Sequence, residues 1–199
     1  MLGVAALLFY CCCTAFGTSS ETHYIYIDND DSVDSVLAKL RPLASGHSFA
    51  GISAMMRHTG YGDHVRTGRY AIEPGRRALD VFRQLRNGQQ TPVMLTVPEV
   101  RTMDRMAGRL AQKLMLDSTT LAQTLYDQDY CQRLGYDTTT IACLFVPNTY
   151  EVWWNTSLDA LMERLQREHD NFWNTERRQK AEAQGLTPNE VVILASIID

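Results

Sequence analysis

Apolar positions along the chain switch between two spacings, and each switch marks an element. Residues 24–27, Tyr24-Ile25-Tyr26-Ile27, are aromatic and β-branched and read as a short strand. Past the polar run Asp28-Asn29-Asp30-Asp31-Ser32 the period lengthens, with Val33, Val36, Leu37 and Leu40 on one helical face. A second helix is expected over residues 48–57. Residues 69–72 give another strand and Glu73-Pro74-Gly75 a turn. Ala78, Leu79, Phe82 and Leu85 then form a helical stripe that Asn87-Gly88 closes in the left-handed conformation. Residues 92–97 give a further strand. Met103, Met106, Leu110 and Leu114 predict an amphipathic helix ending near Leu116-Asp117, and Ser118 opens another through Leu125. Ser157 caps a helix carrying Leu158, Leu161, Met162 and Leu165. Charged residues dominate 163–182, where Phe172 and Trp173 are the main apolar anchors of a solvated helical pair.

The two ends differ from this middle. Thr187 with Glu190 forms a capping box, and Pro188 occupies the first helical position. The run that follows, Val191 to Ile198, is nearly all apolar, the pattern of a helix buried on most sides. No Gly, Asn or basic residue closes it before Asp199, so a cut polypeptide is expected. At the other end, residues 2–17 are uncharged and mostly apolar. A cleaved signal peptide would want a basic start, yet the first Lys or Arg is Lys39. A lipoprotein would want small residues ahead of Cys11, where Phe9 and Tyr10 stand. A membrane anchor over residues 1–18, its basic beginning missing, fits best of the three, somewhat short of the roughly 20 residues of a spanning helix.

With 199 residues the chain can hold one domain or two small ones. Its net charge of -4, with both signs interspersed, gives nucleic acid no electrostatic footing. The acidic cluster at 28–31 fits a helix N-cap better than a calcium loop, since no later bidentate Glu completes the ligand pattern. His58 and His64 lack a third partner for a tetrahedral metal site and read as loop histidines; no metal and no cofactor are expected. Cys11, Cys12 and Cys13 act as small hydrophobes or acylation sites. Cys131 and Cys143 admit either a disulfide in an exported chain or two buried thiols.

Three stretches carry a family resemblance. Leu-Ala-Ser-Ile-Ile-Asp at 194–199 resembles the start of the signature of the YceG-like family of endolytic murein transglycosylases. Phe145-Val146-Pro147-Asn148-Thr149-Tyr150 resembles that family's Phe/Trp-x-Pro-Asp-Thr-Tyr stretch, with Asn148 in place of Asp. The order Gly68-x-Tyr70, Gly75, Leu85-x-Asn87-Gly88 resembles its LysM-like module. The family usually has Glu-Gly where this chain has Glu99-Val100. The likeness runs over about residues 65–199 and implies an α+β fold. It divides the chain into an N-terminal membrane anchor (1–18), a small LysM-like α/β module with its N-terminal strand–helix region (19–96), and the beginning of a mostly helical α+β catalytic domain (97–199).

The resemblance implies non-hydrolytic cleavage of nascent peptidoglycan between N-acetylmuramic acid and N-acetylglucosamine, leaving 1,6-anhydro ends. One Glu protonates the glycosidic oxygen, then acts as base while the muramic acid C6 hydroxyl closes the ring. The nucleophile belongs to the substrate, so one carboxyl replaces the usual pair. That acid must stay protonated near neutral pH, which an apolar surround promotes. The resemblance puts this Glu two residues after Asp199, so no catalytic residue is expected within the chain. Glu99, Asn148 and Tyr150 are the candidate substrate-binding residues; core packing is the alternative for Tyr150 and for the pair Trp153 and Trp154. Glu99 and Glu151 are alternative acids, with solvent-facing loop carboxylates the plainer reading. The implied partners are glycan strands, the inner membrane and cell-wall synthesis proteins, with a single-pass inner-membrane location and most of the chain periplasmic. A non-catalytic peptidoglycan-binding or scaffold protein is the alternative.

Overall fold

The computed structural model describes residues 14–99 and 102–198. It is a mixed α+β structure with two small antiparallel sheets, and it divides into two compact units. The first comprises Met1–Pro92 with Trp153–Asn155, the second Val93–Val152 with Thr156–Asp199.

In the first unit, β1 (His23–Ile27) leads into α1 (Val33–Leu40) and α2 (Gly46–His58), then β2 (Gly68–Ile72) and α3 (Ala78–Asn87). β1 and β2 pair antiparallel with Ile25 opposite Tyr70 and Tyr26 opposite Arg69. Ile25, Ile27, Tyr70 and Ile72 face inward against Val36, Leu40, Ile52, Met56, Val81 and Leu85. Alternation along β1 leaves Tyr24 and Tyr26 on the outer face. The expected cap of α1 forms through Ser32, whose side chain accepts from the Ser35 amide. Asp31 is taken instead by an ion pair with Lys39. α3 ends as its Asn-Gly predicts, with Gly88 at φ 67° receiving the last turn. At Gly68, φ 155°, an added Cβ would lie 2.3 Å from Cδ of the Gln90 side chain, which would have to move.

Most of the expected anchor, residues 1–13, lies outside the described residues, as do Cys11 to Cys13, Val100 and Asp199. Its last part is not an anchor. Ala15 pairs with Arg77, and Phe16 is 1% exposed within the first unit's core. The Phe16 amide donates to the Arg76 carbonyl, and its carbonyl accepts from the Ser45 amide and the Ser48 hydroxyl. A buried aromatic ring with its backbone satisfied belongs to a fold, not to a lipid-facing helix. Among the described residues no helix is long and apolar enough to cross a membrane.

The second unit opens with β3 (Val93–Val97), followed by α4 (Met103–Ala111), α5 (Ser118–Leu125) and α6 (Gln128–Arg133). Then come β4 (Asn148–Val152), α7 (Leu158–Phe172), α8 (Thr175–Glu182) and α9 (Pro188–Ile198). β3 therefore pairs with β4 in this unit, whereas the sequence reading assigned it to the preceding module. α4 stops at Ala111, short of the expected end, although Leu114 still reaches the core. Side chains cap the starts of α4 to α8: Thr102, Asp117, Asp127, Ser157 and Asn174 each accept from an amide three residues on. Leu95, Leu110, Leu121, Leu125, Ile141 and Leu161 form the centre of the core. Cys131 and Cys143 are both buried free thiols.

α9 starts as its sequence dictates. The Thr187 amide donates to Glu190 at 2.7 Å, and the Glu190 amide returns a bond to the Thr187 hydroxyl at 3.3 Å. Its burial departs from expectation. Val191 and Val192 are half-buried, whereas Ile193 and Leu194 are each 45% exposed and Ile197 73%. The helix meets the Ile141–Leu144 segment, where Cys143 Sγ lies 3.8 Å from the Asn189 carbonyl oxygen, and the preceding helix α8.

Candidate functional site

The ribbon of β3 and β4 positions the residues singled out for substrate binding. Its register sets Val97 opposite Asn148, Leu95 opposite Tyr150 and Met94 opposite Glu151. The period of two then sorts the side chains. Leu95, Val97, Tyr150 and Val152 enter the core, while Met94, Thr96, Thr149 and Glu151 face out. Thr96 and Thr149 sit directly opposite each other with their hydroxyl oxygens 3.0 Å apart.

Antiparallel pairing brings the end of β3 beside the start of β4. Glu99 and Asn148 are therefore both exposed at one end of the ribbon. Asn148 Oδ1 accepts from the Thr149 amide at 2.8 Å. Tyr150 is different. It is 4% exposed, and its hydroxyl donates to the Val146 carbonyl at 2.7 Å. With Phe145 also buried, the two aromatic residues of this stretch clip it to the core and hold Asn148 and Thr149 at the rim. Tyr150 thus takes the core-packing role, and burial raises its phenol pKa. Thr96 and Thr149 were not singled out from sequence. Their only signal is alternation within two strands, one of which the sequence did not reveal.

The alternative acids do not combine. Glu151 lies across from Met94, five residues before Glu99. At about 3.3 Å per extended residue they stand roughly 16 Å apart, beyond the roughly 5–9.5 Å of paired glycosidase carboxylates. Elsewhere, carboxylates with displaced pKa values are displaced downward. Hydrogen bonds from Thr139 and Thr140 hold Asp137 at about 2. The Arg77 guanidinium lowers Asp80, the Thr120 amide lowers Asp117 and the Thr187 amide lowers Glu190. At Asp31 burial pushes upward, but bonds from Lys39 and Ser35 outweigh it. None of these five is the raised carboxyl that protonating a glycosidic oxygen requires.

A separate groove of about 540 Å³ opens between α4 and α5. Asp104, Ser118, Thr119, Gln123 and Tyr126 line it, and the Tyr126 hydroxyl donates to Asp104 at 2.9 Å. Gly108 and Ala122 complete a lining that mixes polar and apolar surface. Among the described residues no group of three or more His, Cys, Asp or Glu could hold a metal ion.

The family model for the YceG-like family matches residues 25–199. No curated protein matches. Among solved structures the chain is similar to a 2.6 Å crystal structure described as a YceG-like protein from Listeria monocytogenes. Identity is 16% and the TM-score 0.44, over 85% of this chain and 61% of that one. The chain thus spans about three fifths of the length of the protein it matches.

Proposed function

The chain belongs to the YceG-like family, and from that premise we propose that it acts on peptidoglycan as a membrane-anchored endolytic lytic transglycosylase. Its substrate is the nascent glycan strand, cut between N-acetylmuramic acid and N-acetylglucosamine with a 1,6-anhydro end. The observation that carries this reading is the family match, which takes in elements of both units. Glu99 and Asn148 at the ribbon's end, with the facing hydroxyls of Thr96 and Thr149, suit the hydroxyl and acetamido groups of a sugar strand. The acid–base Glu falls, by the resemblance, two residues after Asp199. Its partners are then glycan strands and cell-wall synthesis proteins, at the inner membrane with most of the chain periplasmic.

A second reading takes the family match and the exposed end of the ribbon as binding alone. On it the chain binds or organises peptidoglycan without cutting it. Incubation of purified residues 1–199 with murein sacculi tests the proposal. The protein is expected to sediment with sacculi and to release no 1,6-anhydro muropeptides. Release by this chain would overturn the assignment of the acid beyond Asp199.

A further inference from the structure

In the first unit, the large hydrophobic side chains exposed among the described residues are Tyr24 at 45%, Tyr26 at 42% and Trp153 at 51%. All three are aromatic, and no large aliphatic side chain joins them. Tyr24 and Tyr26 stand two residues apart on β1, so both project from the outer face of the β1–β2 sheet. Their rings are held in place. The Arg69 guanidinium, from the facing strand, lies 3.7 Å from the Tyr24 ring centroid and donates to the carbonyls of Thr91 and Pro92. Trp154 meets Tyr26 edge-on at 5.1 Å between centroids. Amide and hydroxyl groups lie at the Ile27–Gly68 end of the sheet: Asn155 Nδ2 donates to the Thr67 carbonyl at 3.1 Å, and the Thr67 hydroxyl donates to Asn29 at 2.9 Å.

We infer that this outer sheet face is a saccharide-stacking platform for an N-acetylated amino-sugar strand, with Tyr24 and Tyr26 as its floor. The inference rests on the peptidoglycan reading above and names a surface for it. A pyranose has an apolar C–H face and a polar edge, so it needs a flat ring beside amides and hydroxyls. A protein-docking face would add Leu, Ile, Val or Met, and none of these is among the exposed large hydrophobic side chains described in this unit. Arg69 adds a fixed positive charge among the rings, complementary to the carboxylates of muramic acid and its peptide stems. Because neighbours already fix the rings, little side-chain freedom is lost when a sugar binds.

The test uses the full chain with two probes, murein sacculi and a soluble N-acetylglucosamine pentamer. The double variant Tyr24→Ala/Tyr26→Ala is expected to bind both about tenfold more weakly, with an unchanged melting curve. Tyr24→Phe/Tyr26→Phe keeps the rings and is expected to bind within about threefold of the unaltered chain. Hydroxyl-radical footprinting of the unaltered chain gives a readout independent of variant folding, with the pentamer expected to protect both tyrosines. Unaltered binding by the alanine pair, or no protection, overturns the platform and leaves the peptidoglycan reading standing. Failure of the unaltered chain to bind either probe overturns both. A dimer that the alanine pair dissolves, with glycan binding intact, makes the face a self-association surface and overturns the platform.

Discussion

Phe16 and Tyr150 show how a single side chain decides between two readings of its neighbourhood. Phe16 ends an uncharged stretch that invites a membrane assignment, yet its ring is buried and its backbone bonded to Arg76 and Ser45. Phe16→Ala is expected to destabilise the first unit by about 3 kcal/mol or more, read from a urea melt. Loss of less than about 1 kcal/mol would mean that the ring does not pack as described. Tyr150 lies in a stretch whose resemblance suggests sugar contact, but its hydroxyl is spent on the Val146 carbonyl. Tyr150→Phe should cost about 1 kcal/mol of stability and leave binding to sacculi intact. A folded Tyr150→Phe chain that no longer binds would return this phenol to the cleft.

At the scale of elements, local chemistry was legible and pairing was not. The Asn-Gly end of α3, the Ser157 cap of α7 and the capping box of α9 follow from bonds within a few residues, and the sequence names the partners. β4 was missed because Asn148 and Glu151, with Pro147 just before them, carry little strand signal until β3 lies alongside. Burial of α9 was misjudged for a related reason: periodicity states what a helix could bury, not what lies against it. The turn before the Ile141–Leu144 segment offers a titratable example. Asp137 accepts from the amides and hydroxyls of both Thr139 and Thr140 at 2.6–2.9 Å, which holds its carboxyl at about 2 against an ordinary 3.8. The folded pKa is the lower one, so this contribution is complete above about pH 4 and is lost as pH falls through 2. Asp137→Asn should therefore melt below the unaltered chain at pH 5, with the gap closing toward pH 2. A gap independent of pH would show that the carboxylate charge is not what the turn uses.

For the whole molecule, the α+β class and the family were legible, because they rest on motifs that survive in order: Gly68-x-Tyr70, Phe145 to Tyr150 and Leu194 onward. The division into units was harder to see, since Trp153–Asn155 belong to the first unit although they follow β4 of the second. The candidate site was legible only in part. Glu99 and Asn148 are both exposed at one end of the ribbon, whereas Tyr150 packs inward and the tyrosines of β1 read only as strand formers. The proposed activity requires one carboxyl working on glycan held by this chain. Its most direct test is muropeptide analysis of sacculi digested by the protein extended past Asp199 along its own gene. The comparison is the same protein with the glutamate that the proposal expects two residues after Asp199 changed to Gln. The account predicts 1,6-anhydro ends from the first and none from the second, with equal binding to sacculi. Equal product from both, or reducing ends in place of anhydro ends, would contradict it.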